Sequence, residues 1–420
     1  MLQFILKGIL RDKQRSVLPI VVVGLGVMLT TFFYGYLKGV ISGMLSSNAK
    51  LGSGHLKVMT REYAELEAQS PNDLAILDVP GVLQKLRTFA PDITWVPRTR
   101  FGGLLDIPDK NGDTRAQGPV IGIGLDLLSP GSTEVPRMDL KKVTVEGRIP
   151  QKPGELLISR DLAKNLHASL GETVTLISST AGGSMAIHNF VVVGFTHFGM
   201  GPLDRNLILA DLSDVQYALN MENASGEILG FMDSGYFDRD AAEAEITRFK
   251  QTELSSLLVM HSLADSQGIG DYLDMVDVYV WMDLGGMILL MTVVLWNSAL
   301  MAGLRRYGEI GIRLAMGESK GELLRWLLYE AAVIGLIGAT LGACAGMGIN
   351  YYLQEVGIDI SEMMKGSTVI MPPVLRARVL PEGFFVGFLP GLCAIVLGTA
   401  LAGIGIYKRN TASLFKELEV

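Results

Sequence analysis

The residues best placed by type and spacing to do chemistry lie in one charged stretch, Arg305 to Ala331, RRYGEIGIRLAMGESKGELLRWLLYEA, set between two long apolar runs. Glu309 and Arg313 stand four residues apart, which puts them on one helix face as an ion pair. Ile310, Ile312 and Leu314 add apolar contact to the same short helix. Gly317 ends it, and Ser319 with Glu322 forms the S-x-x-E pattern of a capping box that starts the next helix. The chemistry on offer is docking: a helix, a sharp turn and a second helix make a rigid finger, with charge and apolar surface but no nucleophile or base.

Elsewhere the chain offers little to catalysis. There is no G-x-x-x-x-G-K-[ST] phosphate loop, no H-E-x-x-H and no C-x-x-C. The five histidines, His55, His167, His188, His197 and His261, are scattered; His188 and His197 bracket a strand but lack a third ligand at zinc spacing. GIGLDLL and AGGSMA are glycine-rich without the strand-to-helix setting of a nucleotide loop, and read as turns. Cys344 and Cys393 both fall inside apolar runs, where buried packing is the expectation. No catalytic residue and no metal ligand is assigned. Asn297, Ser298 and Glu330 are the polar residues in or beside apolar runs, and Glu330 is expected to pair with an arginine of the charged stretch. No run carries an acid at its centre, which argues against a proton-coupled carrier.

The elements that must position this finger are membrane spans. A charged fraction of 19% beside 49% hydrophobic residues and a mean hydropathy of +0.35 indicate a membrane protein. Four apolar stretches reach the roughly 20 residues that a bilayer core of about 30 Å demands. They divide the chain into an amphipathic N-terminal helix (1–16), a first span (17–41), a large outer domain (42–281), a second span (282–304), the charged stretch (305–325), a third span (326–353), a short outer loop (354–383), a fourth span (384–407) and a tail (408–420). A topogenic flank is the simpler reading of residues 1–16. Pro19 is placed in the first turn of its helix, where proline is tolerated. Lys7, Arg11, Lys13 and Arg15 before the first span, Arg305, Arg306, Arg313, Lys320 and Arg325, and Lys408, Arg409 and Lys416 put both termini and the charged stretch on the cytoplasmic side. The outer domain carries about 30 acidic residues against about 20 basic ones, which excludes a nucleic-acid surface.

Glycines recur at spacing four: Gly35, Gly39 and Gly43 in the first span, Gly338, Gly342 and Gly346 in the third, Gly383, Gly387 and Gly391 in the fourth. Such faces let helices approach closely and predict a tight bundle, with a second copy or a paralogue. In the outer domain, GHLKVM (Gly54–Met59) begins an extended segment, Val79 to Ala90 reads as a helix, and Asp106 to Gly118 as a turn-rich passage. A strand at Glu155–Ile158 leads to Ser159 as an N-cap and a helix through His167. A strand from Thr173 to Ile177 then turns at Gly182-Gly183 into a second arm. RNLILADLSDVQYALN gives a strand and a helix, and Asp240 to Lys250 another helix. The domain reads as α+β, with no internal linker that would split it. DSQGIGDYLDMVDVY continues as helix into the second span, either as a relay of motion or as a connector.

The charged stretch resembles the coupling region of the permease subunits of the MacB-like (type VII) ABC transporters, the superfamily of the lipoprotein-releasing (LolC/LolE-like) permeases, MacB and FtsX. The resemblance rests on E-I-G-I-R-x-A-x-G at Glu309–Gly317, L-x-x-E-A at Leu327–Ala331, GHLKVM, GELLISRDLAKNL, LGETVTL and FVVVGF. It implies a protein of the bacterial inner membrane, with four transmembrane helices and an α+β periplasmic domain of porter and sabre parts. It also implies a second permease copy or paralogue, a separate cytosolic ABC ATPase dimer that holds the ATP and Mg2+, and no cofactor in this chain. Glu309, Ile310, Ile312, Arg313 and Gly317 become the ATPase-coupling residues. The implied activity is release of lipoproteins from the membrane, with tripartite export of a small molecule or peptide, or FtsX-like activation of a periplasmic hydrolase, as alternatives. The ten residues SSTAGGSMAI replace the long hairpin by which one such permease recruits a periplasmic carrier, and the tail IYKRNTASLFKELEV follows the family ending only loosely.

Overall fold

The computed structural model describes residues 13–233, 235–265, 269–304, 307–363 and 372–408. The amphipathic helix expected over 1–16 and the tail expected from 408 therefore lie almost wholly outside the described residues. Contacts group the described residues of 1–41, 274–358 and 375–420 into one unit, and 42–273 with 359–374 into another.

The long helices are α1 (Lys13–Asn48), α2 (Ile269–Leu304), α4 (Lys320–Glu355) and α5 (Pro381–Lys408), with the short α3 (Tyr307–Ala315) between α2 and α4. Among the described residues, the four long ones have the length and composition to cross a membrane. Several outrun the apolar run that announces them, because polar flanks continue the same backbone; α4 starts at Lys320, next to its Ser319 cap and six residues before Trp326. Pro19 lies inside α1, which already includes Lys13, rather than in a first turn. Its missing N–H leaves the carbonyl four residues back without a helical donor. Val23 and Val27 of α1, Met291 and Leu295 of α2, Ile334, Ala339 and Ala343 of α4, and Ala394 and Ile395 of α5 form the buried centre of this unit. Cys344 and Cys393 are exposed on α4 and α5, not buried as expected; a thiol behaves as a small apolar group that suits an apolar helix surface as well as a core.

The second unit is built on strands β1 (Leu56–Thr60), β2 (Ile93–Pro108), β3 (Thr114–Leu125), β4 (Thr144–Gly147), β5 (Glu155–Ser159), β6 (Thr173–Ser179), β7 (Met185–Thr196), β8 (Leu207–Asp211), β9 (Glu227–Met232) and β10 (Leu258–Ser262). It has two lobes. In the first, the order β10-β1-β9-β2 is antiparallel throughout. The helices Val79–Phe89 and Arg239–Phe249 make the two crossovers, β1 to β2 and β9 to β10. This is the split β-α-β-β-α-β arrangement, its helices packed on the sheet through Leu86, Phe249, Ile228 and Trp95.

Residues 99 to 226 form the second lobe between β2 and β9. Here β2-β3-β8-β5-β7-β6 pair in sequence and β6 closes back on β2, a six-stranded barrel. Closure removes the free edges. Alternate residues point inward: Phe101, Leu105 and Ile107 of β2, Leu156 and Ile158 of β5, Val174 and Leu176 of β6, Phe190 and Val192 of β7, Ile208 and Ala210 of β8.

The sequence has no internal linker long enough to prove a split, yet the strands divide into two lobes. No linker marks the two lobes because a single 16-residue strand, β2, pairs with β9 up to Arg98 and enters the barrel from Thr99. Three local expectations also change. GIGL belongs to β3 and not to a turn, since Gly122 gives room to the Phe101 ring, which would stand 2.0 Å from a Cβ there. The turn-rich passage shrinks to the residues between Pro108 and Thr114, around the Asp109 carboxylate that accepts from Asn111 and Asp113. Ser159 does precede a helix, Arg160–Leu166, but its hydroxyl caps nothing and is buried without a hydrogen-bond partner among the described residues.

Candidate coupling site

α3 begins at Tyr307 and ends in a motif set by backbone geometry. Gly317 has φ +98°, a left-handed conformation that glycine enters without a Cβ penalty. Its N–H donates to the Leu314 carbonyl at 3.2 Å, and the Glu318 N–H donates to the Arg313 carbonyl at 3.2 Å. Together these are the two bonds of a Schellman cap, which satisfies carbonyls that the last helical turn leaves unpaired. Two residues later Ser319 opens α4: its hydroxyl accepts from the Glu322 N–H at 3.2 Å while the Glu322 carboxylate accepts from the Ser319 hydroxyl at 2.9 Å and its N–H at 3.4 Å. Both ends of the turn are therefore closed by local hydrogen bonds.

The faces of α3 differ. Leu314 packs against the buried Leu323 of α4, as Leu327 does, while Ile312 is 49% and Met316 74% exposed, beside an exposed Arg313. The side chains of Glu309 and Ile310, and so the expected Glu309–Arg313 pair, lie outside the described residues. An apolar residue four positions from another, both open to solvent, beside a cation, is surface without a partner among the described residues. Gly317 to Gly321 also fits the G-x-S-x-G pattern of a nucleophile elbow. Here the serine hydroxyl is engaged in the cap of α4, and the pattern sits between two helices rather than between a strand and a helix.

The glycine stripes are placed against α1. A Cβ on Gly338 would come 2.9 Å from the Ile20 carbonyl oxygen, on Gly342 2.3 Å from that of Gly24, and on Gly346 2.7 Å from that of Met28. On α5, a Cβ on Gly391 would meet Val27 at 2.4 Å and one on Gly387 Thr31 Oγ1 at 2.6 Å, whereas Gly383 faces Tyr34 at a looser 3.3 Å. These faces are filled within one chain, so they carry no argument about a second copy. The polar residues that matter beside them were not singled out from the sequence. Thr30, Thr31 and Asn350 are buried; Asn350 Nδ2 donates to the Thr31 carbonyl at 3.0 Å, and Thr30 Oγ1 to the Gly26 carbonyl at 3.0 Å. A lone asparagine near the end of an apolar run gives a signal that could have found it.

In the second unit a buried ionic seam joins the two lobes, and the sequence reading missed it. Glu227, at the start of β9, takes Arg100 Nε at 2.9 Å and Lys57 Nζ at 3.3 Å, and Lys57 also pairs with Glu67. Burial alone would raise the Glu227 pKa; Arg100 and then Lys57 outweigh it and hold the carboxylate below its ordinary value. Arg98 Nε pairs with Glu134 at 2.7 Å and its Nη1 donates to the Lys50 carbonyl at 2.7 Å, while Arg100 Nη2 donates to the Gly52 carbonyl. The turn Ala49–Ser53 that follows α1 is thus capped by two guanidinium groups. Arg137 pairs with Glu134 and lies 4.0 Å from the Phe231 ring centre. Beside them His55 is buried, and its Nδ1 accepts from the Met232 N–H at 3.0 Å. Burial, then the charges of Arg137 and Lys50, bring its pKa down to about 4.

No group of three His, Cys, Asp or Glu side chains among the described residues is placed to hold a metal. His197 instead pairs with the buried Asp204 at 3.2 Å.

Residues 284–411 match the family described as FtsX-like permease C-terminal. The lipoprotein-releasing system transmembrane protein LolC of Xylella fastidiosa is 24% identical over 238 residues, 55% of this chain and 56% of that protein. The macrolide export ATP-binding/permease proteins MacB of Psychrobacter arcticus and Neisseria meningitidis are 29% and 37% identical over 94 and 71 residues, which is 22% and 16% of this chain and 14% and 11% of theirs. The match thus covers little more than half the length of the LolC relatives and far less of the two MacB proteins. Among solved structures, the periplasmic region of MacB from Actinobacillus actinomycetemcomitans aligns with a TM-score of 0.34 and 14% identity, over 50% of this chain and 88% of that one.

Proposed function

From an FtsX-like permease C-terminal domain at residues 284–411, in a chain homologous to LolC and MacB, we propose that the protein is the membrane subunit of an ABC transporter of this kind, powered by a separate cytosolic ATPase. The observation that carries the reading is α3: a short helix between two long apolar ones, closed at Gly317 by a Schellman cap, with Ile312, Arg313 and Met316 exposed. A surface held by local hydrogen bonds moves as a body when pushed, which docking to a moving ATPase requires. The ATP and Mg2+ belong to that partner. Both termini and α3 are assigned to the cytoplasm by the basic flanks, and the β-rich unit to the periplasm. α1 and α2, each a continuous helix of 36 residues, are the means of passing motion on.

Release of lipoproteins from the inner membrane is the activity we assign, on the LolC match, the longest in coverage of the relatives given above. The test is sorting: on depletion of the protein, lipoproteins destined for the outer membrane remain at the inner membrane. Normal sorting in depleted cells rejects the assignment. The MacB matches favour export of a small molecule or peptide as the second reading. That reading predicts normal lipoprotein sorting with raised sensitivity to the exported compound.

A further inference from the structure

A cavity of about 330 Å³ opens in the β-rich unit between the turn Ala49–Ser53, the helical residues Glu134–Val143 and the loop His197–Met200. Its floor is core: Leu51, Met138, Phe198 and Met200 are all buried members of one apolar cluster with β3, β5 and β8. Its wall is held in place, because the buried Asp204 carboxylate accepts from the Phe198 N–H at 2.7 Å and the Met200 N–H at 2.9 Å. Its rim is cationic. Lys50, Arg137, Lys142 and His197 line it against a single carboxylate, Asp139.

The positive charge is not neutralised from behind. Glu134 is shared between Arg98 and Arg137, one carboxylate for two guanidinium groups. The Lys50 and Lys142 side chains are exposed and have no ion-pair partner among the described residues. Apart from His197, which pairs with Asp204, the lining cations Lys50, Arg137 and Lys142 outnumber the one carboxylate, Asp139, by two. The neighbouring His55 registers the same field, since Arg137 and Lys50 both lower its pKa. A preformed apolar floor under a cationic rim, at the small end of the roughly 300–1,000 Å³ range of ligand sites, selects a molecule with both characters. We propose that this cavity binds an anionic amphiphile, its phosphate or similar headgroup held by Lys50, Arg137 and Lys142 and its first methylenes on Met138, Phe198 and Met200. Charge-assisted hydrogen bonds to the headgroup fix the orientation, and the apolar floor supplies affinity. The proposal concerns a site on the β-rich unit and stands independently of the cargo assigned above.

The experiment uses the full chain in phosphatidylcholine nanodiscs and a photoreactive decyl phosphate, with labelled peptides read by mass spectrometry. Saturable labelling of the peptides that contain Met138 and Phe198 is expected, with competition by unlabelled decyl phosphate and none by decanol. Lys50→Gln with Lys142→Gln, two exposed side chains, should weaken it about tenfold, the order of losing two solvent-exposed ion pairs. Competition by phosphatidylglycerol placed in the disc would assign the ligand to the bilayer, and competition confined to soluble phosphate monoesters would assign it to a free amphiphile. Equal labelling of the double variant, or equal competition by decanol, would overturn the proposal. Hydrogen exchange over β8 serves as the control that the variant is folded.

Discussion

Asn350 of α4 donates its Nδ2 hydrogen to the Thr31 carbonyl of α1 at 3.0 Å, with both residues buried. The contact exists because Gly35 is a glycine: a Cβ there would lie 2.2 Å from that same nitrogen. Helix crossing and this hydrogen bond are thus one arrangement, although Asn350 Oδ1 and Thr31 Oγ1 are buried without a hydrogen-bond partner among the described residues. The carbonyl uses its second lone pair for the asparagine, and the glycine stripe Gly338, Gly342 and Gly346 brings the backbones near enough for it to reach.

Two substitutions separate these parts. Asn350→Ala removes one hydrogen bond, worth about 0.6 kcal/mol and at most about 1.7 in a membrane interior. Gly342→Leu forces the two backbones apart, because even its Cβ would meet the Gly24 oxygen at 2.3 Å, and should cost at least the roughly 1–3 kcal/mol of an overpacked core. Unfolding from mixed detergent micelles should rank wild type, Asn350→Ala and Gly342→Leu in that order of decreasing stability.

In the ionic seam, Glu227→Gln leaves Lys57 and Arg100 buried or partly buried around a neutral amide. Removing one partner of a buried pair costs about 3–5 kcal/mol. The β-rich unit of this variant should show faster hydrogen exchange over β1, β2 and β9, with the helices of the other unit unchanged.

His55 makes the same unit sensitive to acid. Its folded pKa of about 4 lies below the ordinary 6.5, so between those values the unfolded chain takes up a proton that the folded chain refuses. Stability is complete above pH 6.5 and falls as the pH drops towards 4, by roughly 3 kcal/mol in all. Glu227, held low, adds its loss only below 4.5, whereas Asp204 and Asp214, held high by burial, act in the opposite sense above 3.8. His55→Asn keeps an acceptor for the Met232 N–H without the titration. Exchange of that amide, corrected for its intrinsic pH dependence, should rise from pH 6.5 to 5 in the wild type and stay flat in the variant.

Gly317 gives a clean test of conformation. A Cβ there would touch nothing within 4 Å, so Gly317→Ala acts only through the left-handed backbone, at about 1–2 kcal/mol. The Schellman cap should fray while the rest of α4 holds. Exchange of the Gly317-position and Glu318 amides reads this directly, and coupled ATPase activity should fall while assembly persists.

The periodic parts of the fold were legible in the sequence and the long-range parts were not. The apolar runs gave α1, α2, α4 and α5, and the capping box at Ser319 and Glu322 gave the start of α4, because these depend on residues within a few positions. The barrel depends on closure of β6 onto β2, some seventy residues earlier, which no local pattern records. The two lobes hide within one strand for the same reason. Nothing local in the sequence marks Lys57, Arg98, Arg100, Glu134 and Glu227 as buried or partly buried, since burial is decided by the partners that the fold brings. At the candidate coupling site, the turn around Gly317 was legible, whereas the exposure of Met316 was not.

If α3 docks on a separate ATPase, its exposed apolar face must contribute to their association. The protein, in nanodiscs, is titrated with candidate ABC ATPase subunits from the same organism, and binding is compared with that of Ile312→Glu/Met316→Glu. Both side chains are exposed, so the variant keeps its own fold. Loss of one apolar anchor typically costs an interface about 2 kcal/mol or more, so the account predicts affinity reduced at least about thirtyfold. Wild-type affinity in the double variant would contradict it.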